Sequence, residues 1–218
     1  MKKFVIGDVH GNYEELMDLL DKINPNLRQD KLIYLGDYID RGPQSYKVIR
    51  FLIDLQNKYG KEHVVLLRGN HEDMAIENIE HGRIDCFNGY DITFMDFIKN
   101  NDSIENYYEF FKGLPLYYED ESFIYVHGGI KPGIAMEKQD DYDLLWIREE
   151  FFESSLTFIK PVIFGHTPTI NIIGTFSPFI KKDRIGIDTG IVYGGRLTAL
   201  EIHDGKIVNI HNVKKIAA

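Results

Sequence analysis

Six short apolar runs in the sequence are each followed by a group of polar residues next to glycine. These groups contain carboxylates, imidazoles and one amide, but no cysteine. A nitrogen and oxygen donor set of this kind suits borderline divalent metals such as Mn, Fe or Zn. Glycines beside the donors let the backbone turn sharply and approach a ligand closely. The candidate residues are Asp8, His10, Asp37, Asn70, His71, His127 and His166.

The apolar runs themselves are typical of buried strands, because they are short, continuous and rich in β-branched residues. Apolar residues with helical spacing lie between Asn12 and Pro25 and between Pro43 and Gly60. This alternation predicts an α/β layered fold, in which ligands bind outside the carboxyl ends of the strands. The polar groups should therefore converge. The predicted strands cover 4–6, 32–35, 64–67, 123–126, 162–164 and 185–187.

The donor count favours two metal ions over one. Six ligands with one shared carboxylate can hold two ions about 3.5–4 Å apart, the spacing used for phosphoryl displacement. Most of the motifs are weak alone, since most isolated histidines are surface or satisfied core residues, whereas the motif from Gly36 to Gly42 is longer and more specific. Six motifs in this order, each at a strand end, are hard to obtain by chance.

Bulk properties exclude several other classes of protein. The net charge is −9, which argues against a nucleic-acid-binding surface. No apolar run has the length of a membrane span, and the N-terminal run is too short for a signal peptide. The single cysteine, Cys86, forbids an intrachain disulfide and favours a cytoplasmic location.

We expect one catalytic domain over residues 1–218, with a helical insertion at about 73–113. The aromatic residues of the insertion, from Phe87 to Phe111, should form its core, with Cys86 buried among them. Residues 137–143 should form an exposed acidic loop. Asp204 and Gly205 predict a hairpin turn between strands at 197–202 and 206–210.

From Phe4 to about Gly190, these motifs resemble the calcineurin-like metallophosphoesterases. Within that superfamily they resemble the small bacterial and phage members of the PPP-type serine/threonine protein phosphatases. The resemblance implies a metallophosphoesterase fold with layered β-sheets flanked by helices. It also implies the two ligand sets. One ion would be held by Asp8, His10 and Asp37, and the other by Asp37, Asn70, His127 and His166.

The same resemblance assigns the other site residues. His71 would be the general acid, oriented by Asp40. Arg41 would bind phosphate together with Asn70, and Arg148 is the best match for a second phosphate-binding arginine. Tyr193 is only a guess for the tyrosine that larger eukaryotic members carry near the site.

The implied function is hydrolysis of phosphoserine and phosphothreonine in phosphoprotein substrates by a hydroxide that bridges two divalent ions. Mn²⁺ is the expected metal, with Fe or Zn as alternatives. The alternative is a dinucleoside polyphosphate hydrolase, such as a diadenosine tetraphosphate hydrolase, or another nucleotide phosphatase. Such hydrolases commonly lack an acid at the position of Asp40 and carry aspartate at that of Glu72, which favours the protein phosphatase. A non-catalytic scaffold should have lost some of the motifs. The oligomeric state stays open.

Overall fold

The computed structural model describes residues 1–215. Its strands begin and end close to the predicted positions, and every predicted strand is present. The strands are β1 (Lys2–Ile6), β2 (Lys31–Tyr34), β3 (Val64–Leu66), β4 (Tyr117–Glu119), β5 (Ile124–Val126), β6 (Val162–Phe164), β7 (Phe179–Ile180), β8 (Arg184–Gly186), β9 (Arg196–His203) and β10 (Lys206–Lys214).

Helices follow half of the strands and include both of those predicted between the first three. Four short 3-10 turns lie at Phe87–Gly89, Ile104–Tyr107, Met136–Lys138 and Ile191–Tyr193 in the described chain. The α-helices are α1 (Tyr13–Ile23), α2 (Ser45–Tyr59), α3 (Asn70–Glu80), α4 (Tyr90–Lys99), α5 (Tyr108–Lys112), α6 (Asp141–Trp146), α7 (Glu149–Phe152) and α8 (Thr169–Ile173).

The strands form two five-stranded mixed sheets. The first has the order β10-β9-β1-β2-β3, with β1, β2 and β3 parallel, and the second has the order β4-β5-β6-β8-β7, with β5, β6 and β8 parallel. These parallel strands are the ones that carry the polar motifs. Their carboxyl ends therefore bring the motifs of each sheet to one edge.

Alternating side chains divide the core into layers. In β1, Val5 packs in a cluster shared by both sheets, whereas Phe4 and Ile6 pack in the cluster that includes α1 and α2. In β5, Tyr125 joins the shared cluster, whereas Ile124 packs with residues of α6 and α7. The result is helices, sheet, sheet and helices, which confirms the predicted layered α/β fold.

Residues 73–113 are mostly helical, as predicted, but the details differ in two places. Cys86 is exposed, and Phe87 is 79% exposed, so neither belongs to the core of the insertion. Both lie on the surface, in the connection between α3 and α4. Tyr90, Phe97 and Phe111 are buried and do form the expected aromatic core.

Two further predictions can be compared with the structure. The acidic segment 137–143 is not a loop throughout, because α6 begins at Asp141, with the Asp140 carboxylate accepting a hydrogen bond from the Tyr142 N–H at its start. The hairpin turn is confirmed, with positive φ at Asp204 and Gly205. No helix within residues 1–215 is long and apolar enough to cross a membrane.

Candidate active site

The seven candidate residues converge where the carboxyl ends of the two sheets meet. From the first sheet, Asp8 and His10 follow β1, Asp37 follows β2, and Asn70 and His71 begin α3 after β3. From the second sheet, His127 follows β5 and His166 follows β6. All seven are at most 5% exposed, although every one is polar. Burial of so many polar groups is costly unless they are paired or bind a cation.

Asp37 lies between two groups of imidazoles. Its Oδ2 is 3.4 Å from His10 Nε2 and 3.8 Å from His71 Nε2, and its Oδ1 is 3.3 Å from His127 Nε2. Two sets of candidate ligands therefore share this carboxylate: one with His10 and His71, the other with His127 and His166. The sharing is the arrangement that a bridging ligand requires.

Backbone carbonyls orient two of the imidazoles. The Nδ1 atoms of His10 and His127 each lie 2.9 Å from a carbonyl oxygen, of Ile39 and Leu35 respectively. Donation from Nδ1 leaves Nε2 as the lone-pair atom that faces the site, a common outer-shell arrangement for metal ligands. Burial lowers the pKa of His10, of His127 and of His166, so these rings are neutral and able to bind a metal.

Asn70 joins the second set of ligands. Its Oδ1 is 2.8 Å from both His127 Nε2 and His166 Nδ1. The amide oxygen and the two ring nitrogens thus point to one place. His166 Nε2, by contrast, is buried without a hydrogen-bond partner among the described residues.

Asp8 lies outside both of these tight sets, but it belongs to the same buried cluster of carboxylates. It accepts a hydrogen bond of 3.0 Å from the backbone N–H of His166. Burial, with Asp188 and Asp37 close by, raises the pKa of Asp8 well above its ordinary value. Burial likewise raises the pKa of Asp188 to about 6. Three carboxyl groups, of Asp8, Asp37 and Asp188, are therefore buried close together, where a nearby positive charge would stabilise their ionised forms.

Asp188 was missing from the predicted site residues. It follows β8 in the motif Asp188-Thr189-Gly190, so its place at a strand end was the available signal. It is 4% exposed.

His71 and Asp40 form a closely bonded pair. His71 Nδ1 lies 2.6 Å from Asp40 Oδ2, and Asp40 Oδ1 accepts a 2.8 Å hydrogen bond from the Thr93 hydroxyl. Burial opposes the charged imidazolium, but Asp37 and Asp40 outweigh it and raise the pKa of His71. Its Nε2 is buried without a hydrogen-bond partner in the described chain. The ring therefore presents a proton towards the site.

The two predicted arginines lie at the edges of the site. Arg41 Nη1 is 3.1 Å from His10 Nε2, and the Arg41 guanidinium carbon lies 5.6 Å from the centre of the Tyr193 ring. Arg148 Nη1 donates to Thr167 Oγ1 at 3.1 Å. The charge of Arg148 is felt at His166, where it helps burial to lower the pKa.

Glu72 positions the Asp37 loop and was not recognised from the sequence as part of the site. It is fully buried. Its Oε2 accepts hydrogen bonds from the backbone N–H groups of Asp37 and Gly69 at 2.8 and 2.9 Å, and its Oε1 accepts one from that of Tyr38 at 2.8 Å. The N–H groups of Asp37 and Tyr38 precede Glu72 in the sequence by one helix and one strand, so Glu72 holds this loop from a distant position in the chain.

Local backbone strain is concentrated at the same place. Five site residues that are not glycine have left-handed backbone conformations, which cost about 1–2 kcal/mol each. Glycines allow the close approach, since a Cβ atom at Gly69 or Gly165 would collide with the Asp37 or Asp8 carboxylate. The strained residues are His10 (φ 46°), Asp37 (φ 53°), Asp40 (φ 70°), Arg41 (φ 65°) and His166 (φ 61°).

The residues fit a site for divalent metal ions. Neutral imidazoles, an amide oxygen and carboxylates form the donor set, and the candidate imidazole and carboxylate ligand atoms lie within 4.8 Å of one another in each of the two groups that share Asp37. Burial, with Asp37 close by, raises the pKa of Asp8 and of Asp188, so added positive charge would stabilise their ionised forms. Divalent cations would supply that charge.

The chain belongs to the calcineurin-like phosphoesterase family, whose profile matches residues 1–195. It is similar over nearly its full length to the asymmetrical bis(5'-nucleosyl)-tetraphosphatase of Halalkalibacterium halodurans, with 27% identity covering 94% of this chain and 92% of the relative. The protein of the same name from Oceanobacillus iheyensis is 25% identical, with 96% and 92% covered.

Protein phosphatases match a smaller part. The catalytic subunit of serine/threonine-protein phosphatase 6 from Caenorhabditis elegans is 33% identical over 60% of this chain and 37% of its own length. Among solved structures, a protein proposed to be a diadenosine tetraphosphatase superposes with a TM-score of 0.75 at 21% identity, covering 97% of this chain and 92% of that one. A yeast serine/threonine phosphatase similar to human phosphatase PP5 gives 0.71 at 18% identity, covering 100% and 81%. These likenesses establish the fold.

Proposed function

We propose that the protein hydrolyses dinucleoside polyphosphates, using two divalent ions. The observation that carries this choice is the length of the match. Relatives named bis(5'-nucleosyl)-tetraphosphatases correspond to this chain over more than nine-tenths of both proteins, whereas the protein phosphatase 6 subunit matches over 37% of its own length. The motifs alone favour a protein phosphatase, and the length of these matches instead favours the dinucleoside polyphosphate hydrolase.

The proposed ligands are the two sets implied by the family resemblance: they also share Asp37, but they include Asp8 and leave His71 free to act as the acid. Bound divalent ions would lower the pKa of water to give a nucleophile and would offset the charge of the phosphates. Mn²⁺ is the first candidate, and Fe or Zn also suits this donor set. One set is Asp8, His10 and Asp37, and the other is Asp37, Asn70, His127 and His166.

The arginines bind phosphate oxygens in this proposal. Arg41 and Arg148 lie on the first-sheet and second-sheet sides of the site, so each can reach a different oxygen. A planar guanidinium fork suits phosphate better than an ammonium group does. Asn70, which lies between His127 and His166, can donate its amide N–H to the same phosphate.

A second candidate function is the hydrolysis of phosphoserine and phosphothreonine in phosphoproteins. The observation in its favour is the 2.6 Å hydrogen bond between His71 Nδ1 and Asp40 Oδ2. This contact supports a protonated His71 that can donate its proton to a poor leaving group. Glu72 no longer favours either function, because its carboxylate binds backbone N–H groups and does not face the substrate.

We also propose a domain organisation and a cellular location for the protein, and we exclude one class of substrate. Residues 1–218 act as one catalytic domain, and the single cysteine suits work in the cytoplasm. Nucleic acid is not the substrate, given the net charge of −9.

The deciding experiment compares substrates with the Mn²⁺-loaded enzyme. Turnover of diadenosine tetraphosphate is measured beside that of a panel of phosphoserine and phosphothreonine peptides, with and without chelator. We expect the larger kcat/KM for the dinucleotide and loss of activity in chelator. A larger kcat/KM for the peptides would favour the second candidate, and activity that persists in chelator would contradict both.

A further inference from the structure

A cleft of about 380 Å³ opens beside the metal-binding residues, between α3 and α6. Helix α3 begins with Asn70 and His71, so its first turn belongs to the site and its next turns form one wall of the cleft. Helix α6 forms the opposite wall, and the connection after α3 contributes the rim through Arg83 and Asp85. None of the residues that line the cleft has a role in the function described so far.

The α6 wall presents two aromatic rings in series. Tyr142 and Trp146 are stacked, with ring centres 6.2 Å apart and planes at 19°. Trp146 in turn meets the metal-site residue His166 edge to face at 5.9 Å. Tyr142 is 67% exposed, so a flat apolar surface runs outward from the metal site into solvent. Exposed stacked rings of this kind are platforms for a nucleobase.

The other wall and the rim are polar and mostly acidic. Asp73 and Glu77 of α3 and Asp85 of the rim line the cleft together with one arginine, Arg83. Asp73 forms an ion pair with Arg68 at 3.5 Å. Carboxylates repel phosphate but accept hydrogen bonds from ribose hydroxyls, as in dinucleotide-binding folds. The cleft therefore suits the uncharged base and ribose, whereas the metals and arginines suit the phosphates.

We propose that this cleft binds the base and ribose of one nucleotide of the substrate, with the base stacked on Tyr142 and Trp146. The proposal rests on the proposed hydrolysis of dinucleoside polyphosphates and adds the residues that recognise the nucleoside. A peptide with basic residues near its phosphate is the other occupant that an acidic cleft could accept, and the experiment separates the two.

The test measures nucleoside recognition directly. ADP and pyrophosphate are compared as inhibitors of p-nitrophenyl phosphate hydrolysis by the Mn²⁺-loaded enzyme. Both carry a diphosphate, but only ADP carries a base and ribose. Stacking of one base contributes about a 5- to 150-fold gain in affinity, so ADP should have an inhibition constant lower by that factor.

Fluorescence provides a second measurement, because Trp146 is the only tryptophan. With excitation where adenine does not absorb, ADP should quench it and pyrophosphate should not. Tyr142→Ala should reduce the advantage of ADP over pyrophosphate by about fivefold or more. Tyr117→Ala, which removes an exposed tyrosine from β4, should keep the wild-type ratio.

Equal inhibition by ADP and pyrophosphate would overturn the proposal, even if diadenosine tetraphosphate is a good substrate. An unchanged ratio in Tyr142→Ala would overturn it as well. Conversely, strong ADP selectivity without turnover of diadenosine tetraphosphate would support the nucleoside cleft and contradict the proposed function. Selective inhibition by a basic phosphopeptide, with none by ADP beyond that of pyrophosphate, would assign the cleft to peptide.

Discussion

The variant His71→Asn tests which leaving group the site is built to protonate. Three described imidazoles of the site have lowered pKa values, whereas that of His71 is raised. No neighbouring histidine can therefore replace it as an acid. Its loss should cost the full contribution of general acid catalysis, about 10²–10⁴-fold, or about 3–5 kcal/mol of transition-state stabilisation.

That loss should depend on the substrate. A serine alkoxide needs a proton as the P–O bond breaks, so a phosphoserine peptide should lose the full factor. Nitrophenolate and a nucleotide phosphate leave as stable anions, so p-nitrophenyl phosphate and diadenosine tetraphosphate should lose distinctly less. The assay is single-turnover kinetics, which excludes product release, with metal content measured in the same samples.

Two further variants sharpen the comparison. Asp40→Asn removes the charge that helps to raise the pKa of His71, so that pKa should fall. Since the acid must be protonated, the alkaline limb of the pH–rate profile on the phosphoserine peptide should move to lower pH. His63→Asn is the matched control, because its Nδ1 binds the Asp30 carbonyl outside the site. Equal losses on all three substrates in His71→Asn would refute the leaving-group argument, and loss of metal would make His71 a ligand.

The other predictions concern metal, phosphate and specificity. Asp37→Asn should lower the occupancy of both metal positions, measured by elemental analysis against two ions in the wild type; full occupancy in the variant would contradict a shared ligand. Arg41→Ala and Arg148→Ala should raise KM for a phosphomonoester and keep the metal content, whereas normal kinetics would make either a surface arginine. Glu72→Asp should reduce the free energy of unfolding by about 1–3 kcal/mol, because backbone N–H groups lose their acceptor. It should keep the ratio of dinucleotide to peptide turnover, and a changed ratio would show a role in specificity.

The convergence of the candidate residues was predictable from their positions at strand ends. A buried parallel strand is a continuous apolar run, and the residue after it must lie at the ligand-binding edge. Asp37 and His166 could therefore be brought together although 129 positions separate them in the chain. The layered α/β fold followed from the same runs.

Residues that act through contacts distant in sequence were not predictable in this way. Glu72 holds backbone N–H groups at Asp37 and Tyr38, and no pattern in the chain pairs these positions. Cys86 was placed in the core because aromatic residues surround it in sequence. Whether a connection between helices is covered depends on the neighbouring layers, which local composition does not specify.

The left-handed residues of the site bear on how the protein would respond to selection for stability alone. Each of the five would be relaxed by glycine, which adopts positive φ without steric cost. Arg41 is the least buried of the five, so glycine there would remove the fewest buried contacts. A directed-evolution library screened only for heat resistance should therefore enrich glycine at Arg41, and the gain should be accompanied by lost catalysis. Thermostable variants that remain active would have to acquire their substitutions elsewhere in the chain.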